Sequence, residues 1–213
     1  MSELLAEVDE AMKRERLENI WKNYGNYFIT LILLIIFGTG GYSAYSNWQA
    51  GVTQTQTDAL IAAEAKNDPQ ALVDVAANLN GGLKAIAQLR AAGGFLNAKQ
   101  EDKALELYSV LAADKNQPKE FQDLAIFMKA RLEAKTNPDQ ALSALEALTK
   151  DDKSAYRFHA RLESAMIFAH QKQDYKSASA QLAPLLTEQN MPQNLNAKAN
   201  ALSVLYGLKQ IEK

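Results

Sequence analysis

Apolar residues in this chain follow two patterns, and the change between them divides it. From Asn23 through Thr57 no residue is charged, and Tyr27 to Phe37 reads Tyr-Phe-Ile-Thr-Leu-Ile-Leu-Leu-Ile-Ile-Phe. Beyond Asp58 apolar positions recur at helical spacing between short polar breaks. The first pattern predicts one membrane-spanning helix over 27–48, because roughly 20 residues cross a ~30 Å hydrocarbon core. The small residues Gly38, Thr39, Gly40, Gly41 and Ser43 are compatible with a span whose backbone bonds stay internal. Trp21, Tyr24 and Tyr27 flank one end and Tyr42, Tyr45 and Trp48 the other, the two interfacial belts of a spanning helix. A buried core helix has no need of such belts. A cleaved signal peptide is disfavoured by the 26 residues that precede the run and by the bulky Tyr42 where a small residue is wanted.

Lys13, Arg14, Arg16 and Lys22 lie before the span, and no Lys or Arg follows it until Lys66. The excess of basic residues on one side puts the N-terminus in the cytoplasm. The expected location is a single-pass protein of a bacterial inner membrane with its C-terminal domain in the periplasm. Residues 1–26 form a cytoplasmic amphipathic tail in which Leu4, Val8 and Met12 recur every four positions. That side suits a lipid surface or a partner helix. Thr39, Gly40, Ser43 and Ala44 supply small residues four apart, where a second membrane helix can approach closely.

The second pattern predicts an all-α domain. Ala, Leu, Lys, Gln and Glu dominate it, and these are good helix formers. Breaks fall at Asn67-Asp68-Pro69, Asn80-Gly81-Gly82, 98–100, 115–118, Asn137-Pro138, 150–152, 172–174 and 190–192, leaving helices of about 11 to 18 residues. Within them a repeat appears. Ala104, Tyr108 and Leu111 recur as Ala141, Leu145 and Leu148, and again as Ala178, Leu182 and Leu185, each set 37 residues from the last. The three residues of each copy share one helical face, the face that meets the partner helix of the same hairpin. The partners span about 83–98, 119–134 and 155–171, and the turn near Asn137 is expected to be one residue shorter than the others. The predicted organisation is a helical stem and first hairpin over 49–80, then about three hairpins and a C-terminal capping helix over 81–213. Leu202, Leu205, Tyr206 and Leu208 supply the cap's apolar face.

Ala92, Phe95 and Ala104 stand at the spacing of the small, aromatic and alanine positions of a tetratricopeptide repeat, and Tyr175 precedes Ala178 where such repeats carry an aromatic residue. The hairpin segment therefore resembles that repeat, with a period of 37 where 34 is usual. The tail motifs Glu7-Val8-Asp9-Glu10 and Lys13-Arg14-Glu15-Arg16, then Trp21-Lys22-Asn23-Tyr24-Gly25 leading into one span and a repeat domain, are similar to the membrane-anchored tetratricopeptide-like proteins of proteobacteria. That family includes the ancillary subunit of the Sec translocon. The resemblance implies a helical-hairpin solenoid that contacts the translocon, periplasmic chaperones or secreted clients, and it implies no catalytic residue.

Composition narrows the chemistry. With 23 basic and 25 acidic residues, net charge -2 and no cysteine, the chain lacks the basic face of a nucleic-acid binder and has no thiol for catalysis or metal binding. His159 and His170, 11 apart, share a helix face but stand too far from each other for one metal ion. Gly81-Gly82 and Gly93-Gly94 lack the strand and basic residue of a phosphate loop and read as a turn and a close helix contact. Glu101-Asp102 and Asp151-Asp152 read as acidic pairs at helix N-termini. Phe121, Phe127 and Met128 read as repeat core. No enzyme activity, cofactor or metal is expected. The expected function is a membrane-tethered adaptor or chaperone-like accessory at protein export. The alternative is an assembly subunit docking into another inner-membrane complex through its span and tail.

Overall fold

The computed structural model describes Tyr42 and residues 45–211. Residues 27–41, with most of the expected span, the belt residues Trp21, Tyr24 and Tyr27, the docking positions Thr39, Gly40, Ser43 and Ala44, and the tail lie outside the described residues. Among the described residues, no helix is long and apolar enough to cross a membrane, and no strand occurs. The chain divides into two units at Thr55/Gln56. In the first, Tyr42, Tyr45 and Trp48 are exposed, with the Tyr45 and Trp48 rings 6.3 Å apart.

Helix α1, described over 45–64, is followed by α2 (Pro69–Ala76), α3 (Gly81–Asn97), α4 (Glu101–Ala113), α5 (Lys119–Glu133), α6 (Pro138–Lys150), α7 (Arg157–His170), α8 (Tyr175–Leu186) and α9 (Gln193–Ile211). From α2 onward each helix packs on the next in sequence, and α3 also touches α5 as α7 touches α9. The second unit is therefore a run of helical hairpins in which contacts stay local.

Local chemistry starts and stops these helices. Asp68, Asn137 and Asp174 cap α2, α6 and α8 by accepting from the backbone N–H of Gln70, Gln140 and Ser177, satisfying donors that a helix start leaves open. Pro69 and Pro138 take the first helical position, where a missing N–H costs nothing. Helix α3 ends in a left-handed turn at Lys99 (φ 59°), with Lys99 N–H donating to Leu96 and Gln100 N–H to Phe95 at 3.0 and 2.8 Å. This Schellman closure holds the first turn to three residues, 98–100. The turn at 134–137 has four, so it is longer than the first, contrary to expectation. Helix lengths run from 8 residues in α2, which stops at Ala76 before the break at Asn80, to 19 in α9, a wider spread than the break positions suggest; Gly81 and Pro138 join the helices they were expected to precede. Asp151 is the C-cap of α6, so the Asp151-Asp152 pair does not open a helix; Glu101-Asp102 does.

Among the described residues, the interior of the second unit consists of four apolar clusters whose buried residues each come from three consecutive helical segments: α1 to α3, α3 to α5, α5 to α7, and α7 to α9. Of the expected capping face only Tyr206 is buried, with Leu202 partly so, whereas Leu205 and Leu208 are exposed. All nine repeat anchors are buried. Ala104, Tyr108 and Leu111 lie with Ala92, Phe95 and Ala125; Ala141, Leu145 and Leu148 with Phe127, Ala130 and Ala160; Ala178, Leu182 and Leu185 with Leu162, Ala165 and Ala199. Each second helix thus packs against its own hairpin partner and also against the first helix of the following hairpin. This is why one face of it carries three buried positions of fixed size order.

Gly93 and Gly94, adjacent in sequence, differ in consequence. A Cβ on Gly94 would stand 2.6 Å from Pro69 Cγ, whereas one on Gly93 meets nothing within 4 Å. Helix α3 therefore approaches the start of α2 only because position 94 has no side chain. Gly93→Ala is expected to raise stability by up to ~1 kcal/mol through helix propensity. Gly94→Ala is expected to lower it by ~1–2 kcal/mol, since overpacking outweighs the same propensity gain. Thermal denaturation of the two variants side by side checks the opposite signs; equal shifts would remove the proposed close contact.

Candidate interaction groove

The first helices of successive hairpins line a groove of about 750 Å³. Its sides come from α5 (Phe127, Met128, Arg131, Leu132) and α7 (His159, Leu162, Glu163, Met166), with Leu96 at the end of α3 and Leu195 and Lys198 on α9 closing its ends. Phe127, Leu162 and Leu195 are core residues that also reach the groove; the others lie on helix faces left over once the core positions have turned inward. Phe127 is core as expected; Met128 and Phe121 are half-buried and pack against the core clusters, and Met128 also lines the groove.

The polar groups are unevenly distributed. Arg131, Lys135 and Lys198 bring three cations to the lining, against the single carboxylate of Glu163. Arg131 Nε stands 3.6 Å from Glu163 Oε2, and Arg131 lies 5.8 Å from the Phe127 ring centroid. Burial raises the Glu163 carboxyl above its ordinary value, opposed by Arg131 and Lys198. Burial lowers His159 below its ordinary value, reinforced by the Lys198 ammonium, which favours the neutral imidazole. Its Nδ1 is buried without a hydrogen-bond partner, and its ring meets Phe127 edge-on at 6.1 Å.

Both histidines line this groove. His170 Nε2 lies 3.4 Å from the Tyr206 hydroxyl. Among the described residues no group of three or more His, Asp or Glu side chains is placed to hold a metal ion. The arrangement suits recognition: apolar and sulfur-bearing side chains supply contact area, and the methionines adapt to partners of different shape. Sequence reading located the histidines and the core aromatics but not the residues that line the groove, because these follow the register of the first helices, which has no constant period. No family model, curated protein or solved structure matches the chain.

Proposed function

We propose that the chain is a membrane-anchored protein–protein interaction module. Its tetratricopeptide-like domain, in the periplasm, binds segments of other proteins as an adaptor or chaperone-like accessory of the Sec export machinery. The observation that carries the binding role is the α5–α7–α9 groove: about 750 Å³ lined mostly by apolar side chains, with three cations to one carboxylate. Such a lining favours an apolar segment carrying an acidic residue, since an unpaired cation in a desolvated site gains most from an opposite charge. The membrane address rests on the uncharged stretch 23–57 and on the basic residues before it.

A photo-crosslinking amino acid at Met128 or Met166 in cells tests the reading. Adducts with many secreted chains, or with translocon components, are expected from both positions and not from Glu146, which is exposed on α6. A single stoichiometric membrane partner captured equally from all three positions would replace the adaptor with an assembly subunit.

A further inference from the structure

The turn between α2 and α3 reads Leu79-Asn80-Gly81-Gly82, and Asn80 is the one asparagine of the sequence that a glycine follows. Such a pair can react with itself. The backbone nitrogen of Gly81 attacks Cγ of the Asn80 side chain, the Cγ–Nδ2 bond breaks, and Nδ2 leaves with the Gly81 amide proton as ammonia. Water then opens the five-membered imide. Attack on Cγ gives aspartate; attack on the main-chain carbonyl gives isoaspartate, whose backbone runs through the side chain and is one methylene longer.

Whether this proceeds in a folded chain depends on what holds the two groups, and here little does. Asn80 stands at the N-cap of α3, but its side chain makes no capping hydrogen bond, unlike Asp68, Asn137 and Asp174 at their helices. The Gly81 N–H donates to no acceptor among the described residues, and both residues are exposed. Ring closure requires Asn80 to turn from its extended state (φ −120°, ψ 158°), which lifts Gly81 out of the first turn. That opening costs little. The Lys84 N–H reaches the Asn80 carbonyl only at 3.5 Å, a Cβ on Gly81 would meet nothing within 4 Å, and consecutive glycines are weak helix formers. Other asparagines are better protected: Asn137 precedes Pro138, which has no N–H, and the N–H after Asn97 donates to Gly94.

We propose that Asn80 is a self-modifying site, converted in the folded protein through an Asn80–Gly81 succinimide to aspartate and isoaspartate. The two products act oppositely. Aspartate puts a negative charge at the start of α3, where the helix dipole favours it. Isoaspartate lengthens the chain directly after Leu79, which is buried in the α1–α3 cluster, so Leu79 and α3 no longer both keep their places. Ageing therefore loosens α1 and α2 from α3 while the clusters of α5 to α9 stay intact. The proposal does not depend on what the groove binds.

The full-length protein in mild detergent, held in warm, mildly alkaline buffer, tests this by peptide mass spectrometry, with an isoaspartyl methyltransferase marking isoaspartate. Asn80 is expected to convert at least roughly tenfold faster than any other asparagine, since only its neighbour leaves the attacking nitrogen without a Cβ beside it. Its rate should lie within roughly tenfold of that in urea, because the turn opens locally without global unfolding. Asn80→Gln, whose longer side chain cannot close a five-membered ring, should stay unmodified at position 80. Aged wild type should acquire a lower-melting population that aged Asn80→Gln lacks, and Asn80→Asp should melt no lower than fresh wild type. Conversion led by another asparagine, a folded rate below the stated range, or isoaspartate-rich chains that melt like fresh ones would each overturn the proposal.

Discussion

Leu145→Ala is expected to lose about 3 kcal/mol of stability, the midrange for a leucine truncated in a core that cannot collapse around the void. Leu145 is fully buried and sits in the middle of α6 among Phe127, Ala130 and Ala160. Ala130, Ala134 and Ala160, which share its cluster, have no side chain to swing into the space, so relaxation recovers only part of the lost contact. The loss should appear in urea as a lower midpoint with unchanged slope. Val110→Ala, truncating a half-exposed residue of α4, should change the midpoint by under ~0.5 kcal/mol. A Leu145→Ala cost as small as that would mean that the α5–α6–α7 cluster is not packed as described.

Lys119→Met is expected to cost about 2 kcal/mol, more than an ordinary surface ion pair. The Lys119 Nζ donates to both carboxylate oxygens of Asp123, at 2.8 and 3.1 Å, and lies 2.8 Å from Asp151 Oδ2 at the end of α6. The Asp123 side chain is only 6% exposed. Removing the lysine leaves a buried carboxylate without that partner, a penalty of several kcal/mol for a dry pair, reduced here because Lys119 is itself half exposed. The hydrogen bonds to Asp123 and then Asp151 raise the Lys119 ammonium above its ordinary value of 10.5. The hydrogen bond from Lys119, then the Lys153 backbone N–H, lower the Asp151 carboxyl below 3.8. The lysine's contribution is therefore fully present below pH 10.5 and fades as pH rises through its elevated value. That of Asp151 is present above pH 3.8 and fades as pH falls through its depressed value. A stability profile should be flat in this respect from pH 5 to 9, and the difference between Lys119→Met and wild type should narrow only at the two extremes, as the lysine loses its proton at the alkaline end and Asp151 gains one at the acid end. A cost that instead vanished near neutrality would disprove the clamp.

The two helices of each hairpin were not equally legible in the sequence. The second helices announced themselves: Ala104, Ala141 and Ala178 are each the fourth residue of their helix, and their 37-residue spacing survives because turn and helix lengths compensate. The first helices carry an equally regular face, but Ala87, Ala125, Ala160 and Ala199 are 38, 35 and 39 apart, so a search for a fixed period passes over them. That drift hid the residues of the groove. Within the first hairpin expected over 49–80, the matching anchors were hidden for a different reason. Leu72, Ala76 and Leu79 repeat the four-then-three spacing of the anchors, but Leu79 is buried from a position beyond the end of its helix. Helix termini were readable where a side chain caps them, at Asp68, Asn137 and Asp174. They were misjudged at Gly81, which enters α3 with φ 51°, a backbone state that glycine adopts without penalty.

Because the four clusters are chained through shared first helices, the interior has no single centre, and motion is graded along it. Helices α5 and α7 each belong to two clusters, whereas α9 belongs to one and has its far side in solvent. Amide exchange should be slowest in α5 and α7 and fastest at the free end of α9, since opening there disturbs only one set of neighbours. Leu195 and Lys198, which close one end of the groove, ride on that same helix. The width of the groove is thereby tied to the least protected element of the repeat, so a bulky segment can enter by displacing α9 while the other three clusters stay intact.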